Sequence, residues 1–361
     1  MTVELYSNIY NVVVSSLGVG RRSGAYANCF WGIAMRFGIF CTYENPQQDY
    51  VSAFAEQTQL VRAAESLGYE EAWVAEHHFN PGAASPSCLA LLAHLAGQTS
   101  RIRLGSAAVL LPFRDPITVA EDVATVDILS RGRLNLGVAK GGPFPVQNKH
   151  FHVTKEESRA RTLEALEVIE QLLYTPSVRF KGAFFDLDGV ELVPKPVQAP
   201  IPTFLATATP DALRHAAARG YGIMAAPPFP LAGARESLNV YRAAAPGVDP
   251  RFTLIRFFHL APTREQAVEE AKDFLRPFVE RMQATTQQAQ PDWTPWFALD
   301  RMVADSLVGT VDEVRAQLAT IAADLDPRMV LLKPLSPAFS KRLADVEAFA
   351  TTIRPQLPAA A

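Results

Sequence analysis

The feature that most constrains the fold is a regular alternation of strand-like and helix-like segments, which begins at Met35 and continues almost to the end of the 361-residue chain. Short apolar runs are predicted as strands, and longer stretches with apolar residues every three or four positions are predicted as helices. The predicted strands cover residues 35–42, 71–78, 101–112, 133–140, 202–208, 221–227, 252–262 and 328–335. Strands separated by helices run parallel, and a count of eight favours a closed (β/α)8 TIM barrel over an open doubly wound sheet.

Local signals mark several helix ends. The first helix is predicted to end before Gly68, which acts as its C-cap. Its predicted buried face comprises Val51, Phe54, Val61, Ala64 and Leu67. Asp115-Pro116 opens a helix that closes on Gly132, and Thr310 with Glu313 fits a capping box. Residues 178–196 break the alternation and are predicted as an inserted hairpin.

The chain divides into three parts. Residues 35–355 form the predicted barrel and residues 356–361 a tail. Residues 1–34 show no clear period, so we expect a loosely ordered extension or a misplaced start with Met35 as the natural initiator. The alternative is a short strand or helix docked on the barrel.

Composition narrows the class of protein. Hydrophobic residues make up 48% and charged residues 20%, with a net charge of −3, which is typical of a globular enzyme and not of a nucleic-acid-binding protein. No run of 18 apolar residues indicates a membrane span. The three cysteines, Cys29, Cys41 and Cys88, lack metal-ligand spacing and are odd in number. We therefore expect no metal site and a cytoplasmic location.

Polar side chains fall where the predicted strands end. In a TIM barrel, chemistry takes place at the carboxyl ends of the strands. The residues found there are His77, His78, Lys140, Thr207, Thr209 and His259. Because neighbouring side chains of a strand point to opposite faces, only one of the two adjacent histidines is expected to face the central pocket. A purely structural role, with hydrogen bonds to nearby loops, is the alternative for both.

Four segments resemble the bacterial luciferase-like flavin monooxygenases. They are "VAEHHF" (74–79), "GSAAVLLPFRDPITVAEDVATVDILSRGRLNLGVAKG" (105–141), "SRA" (158–160) and "SLVGTVDEV" (306–314). The resemblance covers roughly residues 35–355. It implies a (β/α)8 barrel with an insertion, usually dimeric, that binds reduced FMN supplied by a separate reductase and reacts it with oxygen.

The resemblance also assigns residues. His77 matches the histidine beside the flavin that takes part in proton transfer, and an ordinary histidine pKa near 6.5 suits that role at neutral pH. Ala107 and Ala108 match a pair joined by a non-prolyl cis peptide bond under the flavin ring. Lys140 and Arg159 match basic phosphate positions, with Lys140 in place of a common arginine. Ala139 stands where the light-emitting enzymes have a reactive cysteine, which puts light emission in doubt but not flavin chemistry.

Three further groups of residues complete the predicted site. Thr207 and Thr209 precede the helix that begins near residue 210, and their hydroxyls suit a phosphate. Residues 281–303 contain Trp293 and Trp296 and are predicted to form a mobile lid that closes over flavin or substrate near His259. Alternatively, the tryptophans pack on the outside of the barrel or at a dimer contact. Residues 227–230 are expected to shape an apolar substrate entrance.

These observations favour a two-component FMN-dependent monooxygenase. It would use reduced FMN (FMNH2) from a flavin reductase, together with oxygen, to oxygenate a small apolar organic substrate, as a homodimer. An F420-dependent oxidoreductase of the same fold, which transfers hydride, is the first alternative. A non-catalytic flavin-binding protein is the second, and it would need neither His77 nor a lid.

Overall fold

The computed structural model describes residues 35–142 and 144–357, and the predictions made for residues 1–34 and 358–361 lie outside this part of the chain. The strands are β1 Arg36–Cys41, β2 Glu71–Val74, β3 Arg103–Ser106, β4 Val109–Leu110, β5 Leu134–Ala139, β6 Val178–Lys181, β7 Asp186–Val190, β8 Thr203–Ala206, β9 Gly222–Ala225, β10 Thr253–Leu260, β11 Leu307–Gly309 and β12 Met329–Pro334. The helices are α1 Tyr50–Ser66, α2 Cys88–Gln98, α3 Pro116–Ser130, α4 Pro145–His150, α5 Ser158–Tyr174, α6 Pro210–Arg219, α7 Leu231–Ala244, α8 Arg264–Ala289, α9 Leu299–Ala304, α10 Val311–Leu325 and α11 Phe339–Ala348.

Eight parallel strands close a barrel, as the sequence predicts. The order is β1, β2, β3, β5, β8, β9, β10 and β12, and β12 pairs with β1 to complete the circle. Most of the apolar core lies between the strands and the surrounding helices. The predicted hairpin is the antiparallel pair β6–β7, whose turn is held by Glu164 through the backbone N–H groups of Ala183, Phe184 and Phe185. No helix in the two described ranges combines the length and apolarity needed to cross a membrane.

The inside of the barrel is filled by a second core. It consists of Trp73, Phe204, Met224, Ile255, Met329 and Leu331. Glycine makes room for the largest of them, because a Cβ atom on Gly105 would lie 2.2 Å from Cδ2 of Trp73. The indole Nε1 donates to Oε2 of Glu71 at 2.6 Å, which satisfies the polar atom of this buried ring. The barrel interior is thus packed, and it supports the residues at the carboxyl ends of the strands.

Helix caps agree with the sequence signals. Asp115 caps α3 by accepting from the backbone N–H groups of Ile117 and Thr118, and the helix ends at Arg131 and Gly132, both with positive φ. Thr310 and Glu313 form the predicted capping box of α10. These caps fix where the chain enters and leaves the helices around the barrel.

Three details differ from the expectations. The third predicted strand is divided into β3 and β4, with the Ala107–Ala108 peptide bond between them. Val51 and Phe54, expected on the buried face of α1, are exposed, while the later residues Leu60, Val61 and Ala64 are buried. The first part of the predicted lid, residues 281–289, belongs to α8, which continues to Ala289.

Candidate active site

The floor of the barrel mouth is made of apolar side chains, most of them alanines. Phe40, Ala107, Ala206 and Ala226 are partly buried and rest on the inner core, at the carboxyl ends of four strands. The peptide bond between Ala107 and Ala108 is cis, as the resemblance implies. Ala139 ends β5 and is also partly exposed. A floor lined mainly by alanine leaves space for a flat ring to lie across it.

His77 follows β2 at the edge of this floor. Its backbone N–H donates to the carbonyl oxygen of Ser85 at 3.0 Å, and its Nδ1 atom is buried with no hydrogen-bond partner among the described residues. Burial, together with the positive charges of Lys333 and Arg281, lowers the pKa of His77 to about 4. The imidazole is therefore neutral at pH 7, with a pKa below the ordinary value near 6.5. An unpaired, buried ring nitrogen at a barrel mouth is available to a bound molecule.

Glu76 is the group that holds this turn in place. Its fully buried carboxylate accepts hydrogen bonds from Nε2 of His78 at 2.9 Å, Nε of Arg114 at 3.0 Å and the thiol of Cys88 at 3.1 Å. Burial raises the pKa of Glu76, but the hydrogen bonds from His78 and Arg114 outweigh that effect and hold the pKa below its usual range. Of the two adjacent histidines, His78 is thus a structural partner of Glu76, and His77 is the one with a free nitrogen.

A cluster of positive charges lies on one side of the mouth. Lys140 follows β5, and Arg159 is the second residue of α5. Burial and the nearby charges of Arg159 and Lys155 lower the pKa of Lys140. Neither Lys140 nor Arg159 forms a salt bridge within residues 35–142 and 144–357. Positive side chains held together without a carboxylate favour the binding of an anion.

Two hydroxyl groups follow the strand next to the one that Lys140 follows. Val138 of β5 is paired with Leu205 of β8, so the residues that follow these strands, Lys140 and Thr207, lie at the same edge of the barrel. The Oγ1 atoms of Thr207 and Thr209 are 3.1 Å apart, and the backbone N–H of Thr209 donates to Oγ1 of Thr207. Thr209 is the N-cap of α6, but its side chain caps no backbone N–H group of that helix. Its hydroxyl and the first turn of α6 therefore remain available to an anion.

An aromatic segment lies against the cluster. Residues Pro291–Phe297 form a 3-10 helix in which the rings of Trp293 and Trp296 stack at 4.9 Å. Nζ of Lys140 lies 5.8 Å from the centre of the Trp293 ring, and Trp296 packs edge-on against Phe229 at 5.3 Å. We call residues 290–298 the aromatic segment.

Hydrogen bonds from arginine side chains to backbone carbonyl oxygens connect the aromatic segment to the barrel. The Arg301 guanidinium donates to the carbonyl oxygens of Pro228 and Trp296, and the buried Arg256 donates to that of Phe229. The two tryptophans thus lie between Lys140, which follows β5, and Phe229 of the 227–230 turn.

His259 lies elsewhere. Its side chain is buried, with Nε2 2.6 Å from Oε2 of Glu270 on α8 and Nδ1 3.4 Å from Oδ2 of Asp345 on α11. Burial lowers the pKa of His259, but the two neighbouring carboxylates, of Asp345 and Glu270, outweigh that effect and raise it. These contacts make His259 a link between two helices, so we do not retain it among the proposed substrate contacts.

Comparison with known proteins identifies the family. The family described as luciferase-like monooxygenase matches residues 35–326. The chain belongs to this family. Monooxygenase RslO1 from Streptomyces bottropensis has a similar structure, with a TM-score of 0.78, 29% identity, and coverage of 89% of this chain and 99% of that one.

The names of the curated relatives indicate two different cofactors, a flavin and F420. The oxygenase component of the flavin-dependent trigonelline monooxygenase of Acinetobacter baylyi is 28% identical over 54% of this chain and 54% of its own length. The F420-dependent glucose-6-phosphate dehydrogenase of Amycolatopsis mediterranei is 30% identical over 45% of this chain and 50% of its own length. The chain spans about half the length of several curated relatives that it matches, these two among them. Membership of the luciferase-like family thus leaves open which cofactor is used.

Several residues of this luciferase-like site were missed from the sequence. Lys333 is the penultimate residue of β12, its charge acts on His77, and it is paired with Glu44. A charged residue at the end of the last predicted strand is the signal that could have found it. Phe40, Ala206 and Ala226 are apolar strand-end residues that carry no distinguishing signal. Lys155 stands in an acidic, polar stretch of sequence, and only the fold shows that it lies beside Lys140 and Arg159.

Proposed function

We propose that this protein is the oxygenase of a two-component FMN-dependent monooxygenase, which receives reduced FMN from a separate reductase and oxygenates a small apolar organic substrate with O2. The observation that carries this proposal is the cluster of Lys140, Arg159, Thr207 and Thr209 beside an alanine floor and the unpaired nitrogen of His77. It combines a phosphate site, a flat surface for a ring and a proton-handling group within one mouth.

The residues fit an FMN phosphate. The phosphate carries close to two negative charges, which the ammonium of Lys140 and the guanidinium of Arg159 would balance. The hydroxyls of Thr207 and Thr209 and the start of α6 supply further donors. Asp211 in the first turn of α6 is paired with Arg214 at 2.7 Å, which reduces its repulsion of an anion there.

The same mouth fits the flavin ring and its chemistry. The ring would lie over Ala107, Ala108 and Ala139, and reduced FMN, when bound there, supplies the electrons that activate O2. His77, neutral at pH 7, would offer Nδ1 to a group on the ring or the substrate and hold a proton at that atom. Trp293 and Trp296 would exclude water from the mouth.

The named alternatives make different demands on these residues. F420 also carries a phosphate, and an F420-dependent relative is known, so this cofactor is the second candidate. A protein that only stores flavin needs the cation cluster but has no use for a buried, unpaired nitrogen on His77. That nitrogen therefore favours a catalyst.

Partners follow from the proposal. The relative from Acinetobacter baylyi is named as an oxygenase component, which supports a reductase partner here. Exposed apolar residues at the start of α1, namely Tyr50, Val51 and Phe54, support a homodimer formed through this face. A small apolar substrate is supported by Phe40 and Phe229 at the mouth.

The test is equilibrium binding of FMN, riboflavin and F420 to the wild type and to Lys140→Met, Arg159→Met and Lys149→Met. Each of the first two variants is expected to bind FMN about tenfold more weakly, because each loses a charged hydrogen bond to phosphate. Riboflavin, which lacks the phosphate, should bind all four proteins alike, and the exposed Lys149 is the control. Equal FMN affinity in all four proteins would refute the proposed phosphate site, and F420 binding without FMN binding would move the protein to the second candidate.

A further inference from the structure

The cation cluster and the aromatic segment are joined by Lys155. Its Nζ atom donates to the carbonyl oxygen of Ala289 at 3.1 Å. Ala289 is the last residue of α8, and the aromatic segment begins at the next residue. Lys155 therefore holds the end of α8 from which the tryptophans extend.

Lys155 also belongs to the cluster. It precedes α5 by three residues, and its charge is one of the two that act on Lys140. Lys140 in turn lies against the ring of Trp293. Lys140 thus contacts the aromatic segment through the ring of Trp293, and Lys155 contacts the backbone carbonyl of Ala289, the residue that precedes the segment.

A lysine ammonium has three N–H donors. The contact with Ala289 uses one, and the structure assigns no other protein partner to Lys155 within residues 35–142 and 144–357. The remaining two donors are therefore open to an anion, on a side chain whose charge already acts on Lys140.

We propose that Lys155 is a third cation of the phosphate subsite and that, through Ala289, it couples occupancy of that subsite to the position of the Trp293–Trp296 segment. The inference rests on the proposed function in taking the FMN phosphate as the natural anion, but its mechanism requires only a phosphate group. Lys155 acts on the segment as a positioning residue.

The coupling has an electrostatic cause. Without an anion, three positive side chains repel one another, and Lys155, the most exposed, relieves the repulsion by moving into solvent. That movement releases the carbonyl of Ala289. A bound phosphate attracts Lys155 and outweighs its repulsion by the other two cations. Lys155 then stays bonded to Ala289 and stabilises the aromatic segment.

The test is hydrogen–deuterium exchange of the backbone amides of residues 287–298, without ligand and with inorganic phosphate, FMN or riboflavin. The proteins are the wild type, Lys155→Ala, Lys155→Arg and the control Lys149→Ala. Phosphate and FMN should slow exchange of the segment several-fold in the wild type and the control, and riboflavin should not. Lys155→Ala should exchange faster without ligand, show no slowing with phosphate and bind FMN about fivefold to tenfold more weakly, with riboflavin affinity unchanged. Lys155→Arg, which keeps the charge and donors, should recover part of the protection.

The outcomes separate this inference from the proposed function. If FMN binds and Lys155→Ala matches Lys149→Ala in affinity and exchange, the inference is overturned and the FMN site stands. If FMN fails to bind but inorganic phosphate slows exchange only when Lys155 is present, the coupling stands and the flavin function is refuted. If neither phosphate nor FMN changes exchange in the wild type, the coupling is overturned.

Discussion

Replacement of Glu76 by Gln tests the account of how the His77 turn is held. The Glu76 carboxylate is fully buried and accepts three hydrogen bonds, while Arg114 and His78 are 22% and 13% exposed at their side chains. Breaking a buried ion pair by removing one partner costs about 3–5 kcal/mol. Gln keeps one acceptor oxygen, and Arg114 keeps its bond to the carbonyl of Pro86, so we expect the lower end, about 3 kcal/mol.

The assay is urea unfolding of the wild type, Glu76→Gln, Arg114→Met and the double variant at pH 7. The folded-state pKa of Glu76 lies below its ordinary value, so its stabilisation is present above the unfolded pKa of about 4.5 and is lost as the pH falls through the folded value. Neutral pH therefore shows the full effect. The double-mutant cycle should give a coupling energy of about 2 kcal/mol.

Glu70→Gln is the matched control. Glu70 is 47% exposed and lies 3.6 Å from the half-exposed Arg36, so its loss should cost under about 0.5 kcal/mol. If Glu76→Gln were no less stable than Glu70→Gln, the account of Glu76 as the group that holds the turn would be wrong.

Three further predictions concern His77, the aromatic segment and the barrel core. The plot of kcat/KM for reduced FMN against pH should stay level down to about pH 5 and fall toward the His77 pKa of about 4; a fall centred near pH 6.5, absent in His77→Gln, would contradict the lowered pKa. Trp296→Ala should raise the yield of hydrogen peroxide per reduced FMN consumed, because water enters the mouth, and an unchanged yield would argue against a closing role. Gly105→Ala should lower the free energy of unfolding by about 3 kcal/mol, because its Cβ atom overlaps Trp73, whereas Gly97→Ala, with open space around it, should be neutral or stabilising by up to about 1 kcal/mol; equal effects would refute the packing argument.

The barrel could be predicted because its signals are local. Periodicity, the Asp115 and Thr310 caps and the order of strand-end residues all lie in short stretches of sequence. The division of the third strand was missed because "AAVLLP" (107–112) is apolar throughout, and nothing in its period marks the break at Ala107 and Ala108. Val51 and Phe54 were misplaced because the buried face of α1 runs through Ala53, Leu60 and Ala64, and these two residues lie off that face.

The electrostatics of the site could not be predicted in the same way. The pKa of His77 depends on burial and on Lys333 and Arg281, which are more than 200 positions away along the chain. The contact between Lys155 and Ala289 likewise joins residues 134 positions apart. Sequence reasoning places candidate residues at strand ends, but the fold decides which charges meet there.

The measurement that tests the central claim most directly is an anaerobic titration of the wild type with reduced FMN and reduced F420, followed by admission of O2. The account predicts saturable binding of reduced FMN, weaker binding of F420, and slower consumption of O2 by bound than by free reduced FMN in the absence of substrate, because the mouth shields the ring. Binding of F420 with no binding of reduced FMN would contradict the assigned cofactor. Binding of neither would remove the proposed function and leave only the luciferase-like barrel.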